Sequence, residues 1–113
     1  MRARAMQASV RQSGNATIVD VVGDIDLENS PRLRKTLLEA LRQAPRVIVN
    51  LQQVGYIDSS GIASLVEGLK ESQTRKTRFI LFGLSKAARE VFRLTRLIHV
   101  FEVYETEEQA LAA

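Results

Sequence analysis

The spacing of apolar residues changes from strand-like to helical within residues 54–65, Val54-Gly55-Tyr56-Ile57-Asp58-Ser59-Ser60-Gly61-Ile62-Ala63-Ser64-Leu65. From Ile62 onward, apolar side chains recur at the i, i+3, i+4 and i+7 positions of one helical face. This spacing predicts a helix that begins close to Ser60 and continues to about Gln73, with Ser59 at or near its N-cap. A hydroxyl there accepts a hydrogen bond from a first-turn N–H, and the helix dipole favours an anion. Local geometry alone does not distinguish a capping serine from a functional one.

The composition is typical of one soluble globular domain that spans residues 1–113. Hydrophobic residues make up 45% of the 113 and charged residues 26%. No segment approaches the roughly 18 apolar residues needed to cross a bilayer, and the charged start Met1-Arg2-Ala3-Arg4 is not followed by an apolar stretch of signal-peptide length. We therefore expect a cytoplasmic protein. The absence of cysteine removes disulfides and thiolate metal sites.

The net charge of +3 raises the question of nucleic-acid binding. The basic residues are scattered through several predicted elements, without interleaved aromatic residues or a recognisable reading motif. Their densest cluster, residues 75–78, fits a solvated turn between a helix and a strand. We expect no direct binding to nucleic acid, while an acidic protein partner is compatible with the charge.

Five segments have strand-like patterns, and the first two are separated by the hairpin signal Ser13-Gly14-Asn15. These segments are residues 6–12, 16–22, 47–51, 78–83 and 100–104. Helices are predicted between and after them, with caps at Ser30 (followed by Pro31 at the first helical position), near Ser59, at Ser85 and in a capping box at Thr106. The order predicts an α/β fold: a mixed sheet of about five strands, opened by a β-hairpin, with about four α-helices.

Two loops of this fold are candidate sites, because sites gather at the carboxyl ends of parallel strands. One loop contains Asp24 and Asp26, and the other extends from Asp58 to Gly61. Whether the loops are neighbours depends on the strand order, which the sequence does not give. A purely structural interpretation also exists: the two aspartates shape a turn, and the glycine permits close packing of a helix.

Enzymatic chemistry at these loops is poorly supported. A serine hydrolase needs a base, but the only histidine is His99, and Ser60 lacks the flanking glycines of a nucleophile elbow. Asp24, Asp26 and Asp58 could hold Mg²⁺ as in response-regulator receivers, yet Glu105 follows the last strand where receivers use lysine. The remaining hypothesis is a serine that is modified. A phosphate adds about 1.5 to 2 negative charges, and at a helix N-terminus the fold tolerates them.

The sequence resembles the STAS domain family and, within it, the stand-alone bacterial anti-sigma factor antagonists. The resemblance covers nearly the whole chain, and the Asp-Ser-Ser-Gly match is specific in this context. One departure is Arg96, where many relatives have glycine after the third helix. The matching stretches are Gly23-Asp24-Ile25-Asp26, Val47-Ile48-Val49-Asn50-Leu51, Tyr56-Ile57-Asp58-Ser59-Ser60-Gly61-Ile62, Val91-Phe92-Arg93-Leu94-Thr95 and Phe101-Glu102-Val103-Tyr104.

The resemblance implies a partner switch. The unphosphorylated protein is expected to bind an anti-sigma factor that is also a serine kinase, which frees the sigma factor. Phosphorylation of Ser59 ends the binding, and a serine phosphatase resets the protein. The residues that this resemblance assigns to partner binding are Asp24, Asp26, Asp58, Ser60, Gly61 and Ile62.

Because the kinase supplies the catalysis, the resemblance implies that this chain is not an enzyme and needs no cofactor or metal. We expect it to be a monomer when free. The alternative is a cytoplasmic STAS subunit of a lipid-transporting ABC system, which docks on its permease without phosphorylation.

Overall fold

A computed structural model describes residues 5–113, so the first four residues of the charged start lie outside the described residues. Within this range the chain forms five strands, four α-helices and one short 3-10 helix. In chain order they are β1 (Gln7–Ser13), β2 (Ala16–Val22), α1 (Ser30–Gln43), β3 (Arg46–Gln53), α2 (Ser59–Arg75), β4 (Arg78–Phe82), α3 (Lys86–Leu94), the 3-10 helix (Leu97–His99), β5 (Glu102–Tyr104) and α4 (Glu107–Ala112).

The five strands form one mixed sheet in the order β1-β2-β3-β4-β5, which confirms the predicted α/β fold. The hairpin strand β1 is antiparallel to β2, and β2, β3, β4 and β5 are parallel to one another. In this register Val19 lies opposite Val49, and Val49 lies opposite Leu81. Because the last four strands are parallel, their carboxyl ends meet at one end of the sheet, and the loops that follow them lie there together.

The two faces of the sheet are covered to different extents. Side chains of α1, α2 and α3 pack against one face, where Leu37, Leu65 and Phe92 are fully buried. The short helix α4 covers the other face, with Ala110 buried against a smaller cluster that contains Ile48 and Phe82. Alternate residues of β3 therefore face opposite layers, and this explains the nearly continuous apolar run of that strand.

The boundaries of α1 differ from the prediction by one residue. Asn29 occupies the N-cap position, Ser30 is the first helical residue and Pro31 is the second. The Ser30 N–H donates to the backbone oxygen of Asp26 at 2.8 Å, so the helical turn has already begun at that residue. By contrast, the capping box of α4 is confirmed: Thr106 accepts from the Gln109 N–H, and the Gln109 side chain accepts from the Thr106 N–H.

The last strand is shorter than predicted because a 3-10 helix replaces its first part. The N–H groups of Val100 and Phe101 both donate to the backbone oxygen of Leu97, at 2.9 and 3.1 Å, which removes them from the sheet. Phe101 is nevertheless buried, since its ring packs beside Phe92 with centroids 5.5 Å apart. Core packing thus accounts for Phe101 but not for Val100, which is exposed, and the backbone at both residues forms a turn.

Candidate functional site

The two predicted loops are neighbours. They follow β2 and β3, which are adjacent parallel strands, and a single β-bridge between Ile25 and Ile57 continues the pairing beyond the strands. The Ile25 N–H donates to the Tyr56 oxygen at 2.9 Å, and the Asp58 N–H donates to the Ile25 oxygen at 3.1 Å. The strand order thus brings Asp24, Asp26 and residues 58–61 to one end of the sheet.

Asp58 is the N-cap of α2, so the prediction that Ser59 lies at or near this position is refined by one residue. The Asp58 Oδ1 atom accepts from the Ser60 N–H at 2.9 Å and from the Gly61 N–H at 3.1 Å. It also accepts from the Ser60 hydroxyl at 2.5 Å. The helix consequently begins at Ser59, and its capping requirement is met without the Ser59 side chain.

The Ser59 side chain is exposed at the first helical position. Its hydroxyl makes no hydrogen bond with any residue between 5 and 113. Because Asp58 performs the capping, the interpretation of Ser59 as a merely structural cap is wrong. What remains is an accessible hydroxyl at the start of a helix, free to react with an external group.

The carboxylate next to Ser59 is held in its charged form. The hydrogen bond from the Ser60 hydroxyl lowers the pKa of Asp58 below its ordinary value, and partial burial opposes this shift. The backbone N–H groups of Gly61, Ser60 and Leu27 lower the pKa further. A hydrogen bond donated to a carboxylate stabilises the ionised form, so Asp58 is negatively charged at neutral pH.

Asp24 and Asp26 belong to a hydrogen-bonded turn before α1. The Asp26 Oδ1 atom accepts from the N–H groups of Glu28 and Asn29 at 3.0 and 3.1 Å, and the Asn29 Oδ1 atom accepts from the Asp26 N–H at 2.9 Å. The Asn29 amide also donates to the Asp24 backbone oxygen at 2.9 Å. Asp26 therefore has the turn-forming role of the structural interpretation, while both aspartate side chains remain partly exposed.

Gly61 and Ile62 are buried beneath the site. A Cβ atom on Gly61 would lie 2.6 Å from the Ile25 Cγ2 atom and 2.7 Å from the Ile57 Cγ1 atom, closer than such atoms approach in proteins. The first turn of α2 thus packs directly on the bridge between the two loops. These two residues support the surface from below, whereas Ser59 lies on it.

Two exposed apolar residues next to Ser59 were not singled out from the sequence. Leu27 is 76% exposed and Tyr56 is 55% exposed, although both are large side chains that usually lose water on folding. A signal in the sequence could have found them, since each lies in a predicted loop within two residues of an aspartate. We call the surface formed by both loops the loop surface; it consists of Asp24, Asp26, Leu27, Glu28, Tyr56, Asp58 and Ser59.

The arrangement does not resemble a hydrolytic or metal centre. His99, in the 3-10 helix before β5, lies at the amino end of the sheet, whereas Ser59 lies at the carboxyl end. Among residues 5–113 no three His, Cys, Asp or Glu side chains are grouped as ligands for a metal ion. An open groove of about 670 Å³ lies beside the loop surface, lined by Ala5, Met6, Asp26, Glu28, Asn29, Pro31 and Arg32.

The fold and the Asp-Ser-Ser-Gly loop define the class of the protein. A model of the STAS domain matches residues 7–110, and the chain belongs to the STAS domain family. One relative is the "Anti-sigma-B factor antagonist" of Staphylococcus aureus, 30% identical over 91 residues, which cover 80% of this chain and 84% of the relative. Across residues 5–113 there is no helix of sufficient length and apolar character to span a membrane.

Solved structures share the fold. An anti-sigma factor antagonist from Mycobacterium paratuberculosis superimposes with a TM-score of 0.88 at 24% identity, over 96% of this chain and 92% of that one. The phosphorylated form of the Bacillus cell fate determinant SpoIIAA gives a TM-score of 0.71 at 23% identity, over 96% and 97% of the two chains. The antagonist names of the sequence relatives do not favour the transporter-subunit alternative.

Proposed function

We propose that the protein is an anti-sigma factor antagonist controlled by phosphorylation of Ser59. The observation that carries the proposal is the exposed Ser59 hydroxyl, which takes no part in capping α2 because Asp58 does so. The antagonist names of its relatives support the same function. In the unphosphorylated form the loop surface binds an anti-sigma factor that is also a serine kinase, and the sigma factor is released.

Binding in the unphosphorylated form rests on the two exposed apolar side chains. Leu27 and Tyr56 flank Ser59 and would be desolvated in a complex, and a few well-buried residues, Tyr prominent among them, supply most of the affinity of an interface. Asp24, Asp26 and Asp58 surround them and select a partner with positive potential. Ser60 holds the Asp58 carboxylate, while Gly61 and Ile62 keep the first turn of α2 on the two loops.

Phosphorylation would change this surface without disturbing the helix. The phosphate adds about 1.5 to 2 negative charges beside the ionised Asp58. The N–H groups of Ser60 and Gly61 already donate to Asp58, so they are not available to neutralise the phosphate. Desolvating two neighbouring anions in an interface is costly, and a change of about 1.4 kcal/mol already lowers the affinity tenfold.

In this proposal the chain is a substrate and a ligand, and the kinase supplies the catalytic groups. A serine phosphatase removes the phosphate and restores binding. The chain acts as a single domain in the cytoplasm, where ATP and the sigma factor are present, without contacting nucleic acid itself. Asp26 contributes to docking in addition to its turn-forming hydrogen bonds.

The first test is intact-protein mass spectrometry of the chain recovered from its native cell, with fragmentation to locate a phosphate. We expect one phosphate on Ser59. Ser59→Ala should bind the kinase partner constitutively, and Ser59→Glu should bind at least about tenfold more weakly, because it places a second anion beside Asp58. Gln73→Glu adds the same charge at an exposed position near the opposite end of α2 and serves as the matched control.

Two results would contradict the proposal. One is the absence of phosphate on Ser59 under all growth conditions in which the sigma factor changes activity. The other is equal partner affinity for the wild type, Ser59→Ala and Ser59→Glu, since a charge switch requires Ser59→Glu to bind the partner more weakly. If Gln73→Glu weakens binding as much as Ser59→Glu, the effect comes from net charge rather than from the loop surface.

A further inference from the structure

A second surface lies at the end of the molecule opposite the loop surface. Residues 93–100 precede β5, so they lie at the amino end of the parallel strands, whereas the loop surface follows the carboxyl ends of β2 and β3. The rings of Phe92 and Phe101 pack together and fix the end of α3 against the sheet. We call this surface the α3 end surface; it consists of Arg93, Leu94, Arg96 and Val100.

Both surfaces expose a pair of large apolar side chains. Leu94 is 70% exposed and Val100 is 56% exposed on the α3 end surface, as Leu27 and Tyr56 are on the loop surface. Within residues 5–113 only two other large apolar side chains are exposed, and both lie on the β1–β2 hairpin. The exposed apolar area outside the hairpin is therefore concentrated at the two ends of the molecule.

The charges around the two apolar pairs have opposite signs. Residues 23–29 and 54–61 contain the carboxylates of the loop surface and no Lys or Arg. Residues 93–100 contain Arg93 and Arg96 and no Asp or Glu, although Arg93 forms an ion pair with Glu90 at 2.5 Å. Helix dipoles favour acidic N-termini and basic C-termini, which accounts for the signs but not for the apolar residues that accompany them.

Arg96 shows that the positive charge is kept at a cost to the backbone. Its φ is +63°, the left-handed conformation that glycine adopts most easily and that other residues adopt with strain. Lys76, which ends α2 at the same end of the sheet, also has a positive φ, of 58°. Among residues 5–113 these are the non-glycine residues with positive φ, and both are cations. Both residues directly follow a helix end, where a left-handed residue is common and glycine is the usual choice.

We propose that this chain associates head-to-tail, with the α3 end surface of one copy bound to the loop surface of the next. A second copy is the occupant that the structure itself supplies, because the two surfaces carry opposite charges and each exposes an apolar pair that the other can cover. The two surfaces lie at opposite ends, so they cannot meet within one molecule. Such a heterologous contact builds closed rings or open chains, and an open chain leaves one free surface on each terminal copy.

The association would cover Ser59 and the apolar pair that docks the partner. Self-association and partner binding therefore exclude each other on any one copy, and every copy whose loop surface is covered is a reserve that neither the kinase nor the anti-sigma factor can engage. The contact is small, so we expect a dissociation constant on the order of 0.1 mM. This differs from the monomer predicted from the sequence, which the protein should approach only at low concentration.

Sedimentation equilibrium of the unphosphorylated chain tests the proposal. At about 0.05 M NaCl the weight-average mass should rise above 12.6 kDa as the concentration approaches about 1 mM, and it should return to that value at about 0.5 M NaCl because salt screens the charges. Arg96→Glu and Glu28→Lys should each weaken association about threefold to tenfold. Mixing these two variants should restore one contact and give a 1:1 dimer, since each variant retains the surface that the other has lost.

Two variants control for effects on folding and on overall charge. Arg96→Gly relaxes the left-handed backbone, so it should raise the melting temperature while it weakens association. Lys35→Glu changes the net charge as much as Arg96→Glu but lies on the exposed face of α1, and it should associate like the wild type. A mass of 12.6 kDa at every concentration in low salt, or equal association of Arg96→Glu and Lys35→Glu, would overturn the proposal.

Discussion

At the scale of single residues, the neighbouring Asp58 and Ser59 have separate tasks. Asp58 satisfies the N–H groups of Ser60 and Gly61 and carries a charge that these hydrogen bonds stabilise. Ser59 contributes no hydrogen bond within the described chain, so its hydroxyl can be modified without loss of the helix cap. In the proposed switch, a phosphate on Ser59 would change the surface while the cap at Asp58 keeps the fold in place.

Replacing the Asp58 side chain should destabilise the fold by about 1 kcal/mol, as the loss of an N-cap does. Asp58→Asn should retain most of the stability at pH 7, because an amide oxygen also caps a helix. The pKa of Asp58 is lower in the folded chain than the unfolded value of about 3.9. Its contribution is therefore complete above that value and is lost as the pH falls through the lower, folded pKa.

Denaturant unfolding of the wild type, Asp58→Ala and Asp58→Asn at several pH values between about 2 and 7 would measure this contribution. We expect the difference between wild type and Asp58→Asn to shrink in acid. A difference that stays constant with pH would show that Asp58 acts through packing and not through its charge.

Gly61→Ala should destabilise the fold by about 1 to 3 kcal/mol, because its Cβ atom would collide with Ile25 and Ile57. Gly55→Ala is the matched control, since its Cβ atom would meet nothing closer than 3.8 Å. Thermal unfolding of both variants gives the comparison. Similar stability of the two variants would mean that the two loops separate easily, which would contradict a rigid support for the loop surface.

At the scale of elements, the helices on one face of the sheet begin at the site, whereas the helix on the other face lies away from it. The helices α1 and α2 begin at the loop surface, and the Ser64 hydroxyl in the second turn of α2 donates to the Ser30 oxygen at the start of α1 at 3.1 Å, which ties the two helices together near the site. The short helix α4 lies on the opposite face of the sheet and is joined to β1 by the ion pair of Arg11 with Glu107. Stability and function can therefore be perturbed separately.

Ala110→Asp should detach α4, because it places a carboxylate among apolar side chains at a fully buried position. We expect a loss of about 2 kcal/mol or more in unfolding free energy. The loop surface lies at the carboxyl end of the sheet and not under α4. Phosphorylation of Ser59 by the partner kinase should therefore continue at temperatures below the melting temperature of the variant. Loss of phosphorylation in a variant that is still folded by circular dichroism would show coupling between the layers.

At the scale of the whole molecule, the single sheet connects both layers of helices. Strand β3 contributes Val47 and Val49 to one cluster and Ile48 to the other, so neither cluster can open without exposing the other. The two charge signs are separated along the strand direction. Carboxylates lie beyond the carboxyl ends of β2 and β3, and arginines lie at the other end of the molecule, at the C-terminus of α3. This polarity supports the head-to-tail contact.

The chain should unfold in one transition. Because the two clusters share the same strands, the loss of helix followed by circular dichroism and the change in tyrosine fluorescence should give the same denaturant midpoint. Tyr104 packs on the α4 face and Tyr56 lies on the loop surface, so the fluorescence signal includes both regions. Separate midpoints would show that α4 and its face unfold independently.

The sequence alone determined the elements that depend on local spacing. The helical face after Ile62, the buried strands and the capping box at Thr106 follow from periodicity and from hydrogen bonds within a few residues. It also singled out Ser59 as the proposed phosphorylation site, through the Asp-Ser-Ser-Gly motif and the family resemblance. These features need no long-range information, because neighbours along the chain make them.

Tertiary structure decided what depends on contacts between distant residues. Only the order of the strands brings Ile25 beside Ile57 and so unites Asp26 with Ser59 on one surface. Only the course of the chain shows that Asp58 caps α2, that residues 97–101 form a turn and that Leu27 and Tyr56 are left exposed. Periodicity indicates which side chains are apolar, but packing of the whole chain determines which of them lose contact with water.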